Sequence, residues 1–534
     1  MLAPAPPLLP LVLDRVPPGL RLALGQEGVP FVERRAGRID GRFVLFDSRG
    51  PAPQGLVTGQ QAIDVDGCRD GWRGDPLEDL LDERSGRLGW RIGGFQVSEE
   101  VARVDKRATR RHVMERLRAM LERRGGVWFR IGAYPFPYQS AFNFRFDHDE
   151  FDAGDFDAVL GAIAGYEQAT SHYVCASTHE SQTEALARLR GLDVGSHGYL
   201  HHTYQDSEEN SRNIRRGIET LRRRGIEPSG FVAPHGRFNL ALLSAMESLA
   251  ITHSSEFGLA HDELPFFPVG SNVLQIPIHP ICLGIFLEAL ANRNRDARAV
   301  ADDSQVARSK ARLWFDQVAG GDSTIRRLSL LEAQHGVLTR DQEQTVGDAA
   351  IESAVDALCV HFAALVRAKY HAGEPIFLYG HPNGRVGRHP RVLTAALEAV
   401  GNLSAVWLTN MTEFDRWWRS RASVRARVVA ADGGYCVLVD HRPRGYRIAG
   451  EYWRGEHVAT VPLDESMVAL APESLAFQAR RAPAPQQVFR IDPPQGLRSA
   501  VRNYLDWEKV TPVEEIGVTT WRGWMKRTLR RIKD

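Results

Sequence analysis

The run FNFRFD at 142–147 sets the tightest limit on how this chain folds. Side chains alternate sides along a strand, so Phe142, Phe144 and Phe146 share one face while Asn143, Arg145 and Asp147 share the other. One face is built to pack, and the other carries an amide, a guanidinium and a carboxylate. From about 140 to 285, strand-like and helix-like segments then alternate. SHYVCAS, LDVGSH, GFVAP and VLQIPI read as strands, with PIFLYG as a later one. Helical spacing appears at Phe156, Val159, Leu160 and Ile163, and again at Ile214, Ile218 and Leu221. Asp155 is the expected cap of the first of these helices, and Ser181 with Glu184 makes a capping-box pattern before Leu186 and Leu189. The alternation predicts an α/β fold with parallel strands inside.

The flanks read differently. VPFVERR and GRFVLFD, separated by Gly37 and Gly41, predict paired strands near the start. Val113, Leu117, Met120 and Leu121 predict a helix that Gly125 and Gly126 end. These features give a mixed α/β N-terminal domain over 1–130. The central domain spans 131–420, with a charged helical insertion at about 287–372 in which Val355, Leu358, Phe362 and Leu365 keep helical register. RARVVA, YCVLVD and GYRIAGEYW predict a β-rich C-terminal domain over 421–534. Trp417 and Trp418 are expected to pack the last central helix against a neighbouring domain.

With 534 residues and 43% hydrophobic content, the chain is too long for one ordinary domain of about 100–200 residues. Its 67 Lys and Arg balance 66 Asp and Glu, which gives no electrostatic reason for a nucleic-acid partner. Cys68, Cys175, Cys282, Cys359 and Cys436 lie far apart with no CxxC pair, which argues against a thiolate zinc site and a disulfide framework. The apolar start, Met1 to Leu13, has no basic residue before it and is broken by Pro4, Pro6, Pro7 and Pro10, so it makes a poor signal peptide. No apolar run reaches the roughly 20 residues of a spanning helix. A cytoplasmic location is expected. The terminal WRGWMKRTLRRIKD would suit an anionic membrane surface if helical, but the reading taken is a solvated basic tail.

Three polar motifs sit beside strands: FDHDE at 146–150, SHGYLHH at 196–202 and LYGHP at 378–382. A helical turn would bring His197 and His201 onto one face, where both imidazoles reach one cation. Asp149 suits the third ligand place. Such a set leaves coordination positions open, which separates a catalytic site from a closed structural one.

The order Asp-x-Asp, His-x-x-x-His, a Pro-x-Gly loop and Leu-x-x-His resembles the polysaccharide deacetylases with the NodB homology domain, carbohydrate esterase family 4. Over roughly 140–420 the resemblance implies a distorted (β/α)7-type barrel and hydrolysis of an N-acetyl amide on a carbohydrate. It implies Asp147 as base, Asp149, His197 and His201 as ligands of one divalent metal, and His381 as the acid that protonates the departing amine. Zinc is the expected metal, with cobalt, nickel and iron as alternatives. Pro234, His235 and Gly236 correspond to the oxyanion and substrate loop. Here the chain departs from the family: Val232 and His235 stand where an arginine and an aromatic residue are usual, and His148 separates the two aspartates. Arg145 or Arg237 is expected to take over the arginine's charge. Two rivals stay open: hydrolysis of another non-peptide C–N bond, and a non-catalytic carbohydrate-binding protein on the same fold.

Overall fold

The computed structural model describes residues 6–35, 41–92, 95–284 and 340–480, together with Trp521, Trp524 and Thr528. The part of the expected insertion before residue 340, and the basic tail apart from those three residues, lie outside the described residues.

The strand Ser140–His148 sits at the centre of an all-parallel sheet. Ile376–Gly380 pairs with its residues 142–146, Thr170–Val174 pairs with 144–148 and Asp193–Ser196 continues beyond Thr170–Val174. Val406–Leu408 joins at 140–142. Phe142, Phe144 and Phe146 are fully buried against Val355, Leu358 and Phe362 of the helix Arg340–Ala372 and Val392 and Leu393 of Arg391–Gly401. Asn143, Arg145 and Asp147 are also buried, on the opposite face. The period-two pattern thus divides an outer layer of helices from a polar interior.

Past Ser196 the pairings shorten to a few backbone hydrogen bonds each but continue. Val232 N–H donates to Ser196 O (3.0 Å), Phe231 N–H to His253 O (3.1 Å) and Ile276 N–H to Ser254 O (2.8 Å). His279 N–H donates to Phe377 O (2.8 Å) and Leu283 N–H to Tyr379 O (2.9 Å), which returns the succession to Ile376–Gly380. The fold is α/β.

Two expected caps are corrected. The helix Ala153–Ala162 is capped by Asp152, whose extended backbone lets its carboxylate accept the N–H of Asp155. Asp155 instead accepts from Gly384 N–H at 2.7 Å, tying the helix to the loop after Ile376–Gly380. The helix Thr183–Arg188 starts after Gln182 with no side-chain cap, so the Ser181–Glu184 capping box does not form.

The N-terminal strands also pair differently from the expectation. Phe31–Glu33 and Phe43–Phe46 do not pair with each other; they flank Leu11–Asp14, both parallel to it. The apolar run near the N-terminus is therefore a buried strand, and a strand covered on both faces needs no polar alternation. The expected boundary near 130 falls inside the strand Trp128–Pro135, which pairs antiparallel with Ile448–Arg454 in the sheet that also holds His457–Pro462. Arg425–Ala431, Gly434–His441 and Met467–Leu470 form a second antiparallel sheet. Trp417, fully buried on the helix Met411–Ser423, donates its indole N–H to Ala133 O at 2.8 Å and meets Tyr446 edge-on. No helix among the described residues is long and apolar enough to cross a membrane.

A charged network fastens these parts. Glu451 accepts from Arg130 Nε at 2.6 Å and Arg480 Nη1 at 3.0 Å, while Arg130 also reaches Glu27. The network borders a cavity of about 460 Å³ lined by Arg118, Trp128 and Trp453 among others. Burial would raise the Glu451 carboxyl, but Arg130 and Arg480 outweigh it and hold the group at about 2, below its ordinary 4.5. A carboxylate depressed in the folded state adds stability that is fully present above 4.5 and is lost as pH falls toward about 2. Glu451→Gln should therefore lower stability by about 3–5 kcal/mol near neutral pH, as expected for a broken buried pair. Urea midpoints measured from pH 7 downward should show the gap between variant and wild type closing across that acid window; a gap independent of pH would refute the assignment.

Candidate metal centre

Asp149 lies in the bend just past the central strand, yet it faces the same interior as Asp147. Asp149 Oδ1 is 3.2 Å from His197 Nε2 and 3.2 Å from His201 Nε2. The ligand atoms of these three residues all lie within 4.8 Å of one another. Asp149 Oδ1 and His201 Nε2 are buried without a well-formed hydrogen bond. His197 Nδ1 is 2.7 Å from Val232 O, and a carbonyl only accepts, so Nδ1 carries the hydrogen and the Nε2 lone pair is turned to the centre. One carboxylate oxygen and two imidazole nitrogens, converging with atoms that no proton satisfies, fit a divalent cation.

The two histidines reach this geometry without the expected helical turn. Residues 197–201 run as an irregular loop that bends at Gly198, where φ is +85°. Asn213, buried on the helix Ser207–Arg222, holds the loop: its Oδ1 accepts from Leu200 N–H (2.8 Å) and its Nδ2 donates to Leu200 O (3.0 Å) and His202 O (3.2 Å). The same helix carries Gly217, where a Cβ would lie 2.8 Å from the Gly198 carbonyl carbon. Glycine inside a helix costs about 1 kcal/mol relative to alanine, so Gly217 is the sequence signal for this close approach. His148 points away from the centre, its Nε2 3.0 Å from His172 Nδ1.

Asp147 Oδ2 accepts from Arg145 Nη2 at 2.7 Å, while its Oδ1 is buried with no hydrogen-bond partner. Arg145 is fully buried; its Nη1 donates to Ser255 O at 2.7 Å, and its guanidinium lies 4.9 Å from the centre of the Tyr379 ring. The arginine seen on Asp147 is thus Arg145, which precedes it by one strand period. Arg237 follows the Pro234–Gly236 turn. In that turn His235 has φ +59° and is exposed, with its ring edge-on to His201 at 4.7 Å between centroids. Glu256 also borders the turn: its Oε1 accepts from Ala233 N–H at 3.1 Å, and burial raises its carboxyl to about 7. Sequence patterns did not single out this carboxyl.

His381 follows Ile376–Gly380 and reaches the centre from the other side, its Nε2 3.3 Å from Asp149 Oδ2. Burial and Arg385 would lower this imidazole, but Asp149 and Cys282 outweigh them and hold it up at about 10. Burial would raise the Asp149 carboxyl, yet the charge of His381 and the nearby imidazoles of His197 and His201 keep it well below the usual carboxylate range. Cys282 and Arg385, both in contact with His381, were also missed by the sequence reading.

No family model and no curated protein matches the chain. Among solved structures, one from Mycobacterium smegmatis assigned as a polysaccharide deacetylase is similar, with 16% identity over 54% of this chain and 93% of its own, at a TM-score of 0.37. One from Pseudomonas aeruginosa PAO1 with the same assignment shares 15% identity over 54% of this chain and 94% of its own, at 0.35. The Puue allantoinase shares 15% identity over 54% of this chain and 93% of its own, also at 0.35. In the order of its motifs the chain resembles the polysaccharide deacetylases.

Proposed function

We propose that this protein is a metal-dependent hydrolase that removes N-acetyl groups from a glycan or glycoconjugate. The observation that carries the reading is the convergence of Asp149, His197, His201 and His381, drawn from three distant parts of the chain, on one point at the ends of parallel strands, with Asp147 two residues before Asp149 on the central strand. We read the closed succession of pairings as a distorted (β/α)7-type barrel within residues 131–420, flanked by an N-terminal part and a β-rich C-terminal part. The strand ends are where such barrels carry their chemistry.

In this reading Asp149, His197 and His201 hold the cation, with zinc first and cobalt, nickel or iron as alternatives. When bound, the cation supplies Lewis acidity at the scissile carbonyl. Asp147 takes a proton from the attacking water at Oδ1, while Arg145 fixes Oδ2 and so the direction of the lone pairs. A backbone N–H near His235, in the Pro234–His235–Gly236 turn, supports the developing oxyanion. His381 gives its Nε2 proton to the departing amine, and a carbohydrate occupies the open side of the centre. The free, dispersed cysteines suit a reducing cytoplasmic setting.

The turn favours keeping one rival, hydrolysis of another non-peptide C–N bond, because Val232 and His235 alter the loop that meets the substrate. Acetate release from N-acetylated oligosaccharides and ammonia or amine release from ureides, measured side by side with zinc-loaded protein, decide between them. Acetate release supports the deacetylase. Turnover of ureides alone replaces it with the rival, and sugar binding with no turnover replaces both with a binding protein.

A further inference from the structure

The cavity of about 460 Å³ beside Glu451 has the size of a small-ligand pocket, and none of the candidate metal ligands lines it. Gly373 and Glu374 line it just before Ile376–Gly380, whereas His381 follows that strand, so cavity and metal centre lie at opposite ends of it. Its cations outnumber the carboxylates they meet. Arg110 meets Glu27 and Glu263, and Arg130 meets Glu27 and Glu451, to which Arg480 also donates, so these three cations are balanced. Glu374 is shared by Arg111, Arg107 (3.4 Å) and Lys369 (3.8 Å), and of these only Lys369 has a second carboxylate, Asp262 at 2.6 Å. Among the described residues no carboxylate pairs with Arg118. Its guanidinium lies 5.6 Å from the centre of the Trp453 ring, which Arg130 (4.7 Å) and Arg480 (5.7 Å) also flank. The other two carboxylates of the lining, Glu115 and Glu456, are exposed and belong to its mouth.

We propose that this cavity is a second binding site, for a phosphate monoester, with Arg111 and Arg118 taking the phosphate and Met114 and Trp128 facing the organic part. The two arginines stand two turns apart on one face of the helix Lys106–Glu122, with Met114 between them. Guanidinium forks match phosphate oxygens bidentately, and a monoester carries about −1.5 to −2 charge at neutral pH, enough to offset both unmatched cations. Burial, with Arg110 and Arg107 nearby, outweighs Glu374 and lowers the Arg111 guanidinium from its ordinary value, in keeping with a cation short of negative charge. Free phosphate would leave most of the volume and the apolar wall of Trp128, Met114 and Leu264 unfilled, which is why an ester is the occupant. The plainer reading is that the arginines only fasten separate parts of the chain. It accounts for Arg110, Arg130 and Arg480 but not for Arg118, which has no carboxylate to fasten.

The test is calorimetric titration of full-length protein, zinc-loaded and metal-free, with glucose 1-phosphate, phenyl phosphate, inorganic phosphate and glucuronate. At least one ester should bind, equally well with and without zinc, and more tightly than inorganic phosphate or glucuronate. Arg118→Gln should weaken that binding by about 10- to 100-fold, the usual effect of losing a charge-assisted hydrogen bond. Glu115→Gln combined with Glu456→Gln should instead tighten it by about 2- to 5-fold, because two repelling charges leave the mouth. A purely structural set of arginines predicts neither shift. Binding of neither ester, or an ester affinity unchanged in Arg118→Gln, overturns the proposal. So does inorganic phosphate or glucuronate that binds as tightly as the esters. Ester binding that requires zinc also overturns it, since it places the ester on the metal centre; the metal-free titration thus reads the cavity independently of the hydrolase reading. If Arg118→Gln fails to fold, an unchanged affinity in the Glu115→Gln, Glu456→Gln protein overturns it instead.

Discussion

Purified His197→Ala protein should contain no zinc, cobalt or nickel above background, whereas wild type offered each separately should hold about one ion per chain in at least one case. His197 is the best buried of the three candidate ligands, and its Nδ1–H bond to Val232 O leaves it one orientation. Alanine deletes that imidazole and leaves an oxygen and a nitrogen from residues that are each a quarter exposed, Asp149 and His201. Two ligands seldom hold a divalent ion against water, so the loss should be complete rather than graded. Elemental mass spectrometry reads the result directly. Wild-type protein that binds none of the three metals would end the hydrolase mechanism and favour a carbohydrate-binding role.

The second large effect should leave the metal in place. Asp147→Asn should keep its ion yet lose about 100- to 10,000-fold in kcat, the span usual for removing a general base. That loss corresponds to about 2.7–5.4 kcal/mol of barrier. Asparagine has the same shape, and its carbonyl oxygen can still accept from Arg145 Nη2, where Asp147 Oδ2 now sits at 2.7 Å. The amide nitrogen is then left where the unpartnered Oδ1 was, and it cannot take a proton. A stopped-substrate assay with metal content measured on the same sample separates the two cases. Turnover within a few-fold of wild type would remove Asp147 from the base role, and loss of the metal would make it a ligand instead. Arg145→Ala should move kcat in the same direction by freeing the carboxylate.

Much of this centre was legible because its signals are local. Asp147, Asp149, His197, His201 and His381 were each readable from motifs beside strands, and the last four lie together. Arg145 was readable as a neighbour of Asp147, since residues two apart on a strand share a face. The contact of Cys282 with His381 was not, because 99 residues separate them and neither segment signals the other. Asn213 was hidden too: an asparagine on a helix reads as a solvent-facing residue until the helix is docked on the 197–201 loop.

Periodicity, turn residues and side-chain chemistry act over a few residues, and the order of residues alone carries them. They determined the α/β alternation, the aromatic and polar faces of the central strand, the helical register of Val355, Leu358 and Phe362, and the residue types at the centre. Which strands lie side by side is a different matter, because pairing energy per residue is similar for many partners and the choice falls to the packing of the whole. Only the tertiary structure decided that Leu11–Asp14 is a buried strand between Phe31–Glu33 and Phe43–Phe46, and that Trp128–Pro135 pairs with Ile448–Arg454 across more than half the chain. It alone decided which groups face Nδ1 of His381, since a side chain's partners are fixed by where the backbone around it has already been placed.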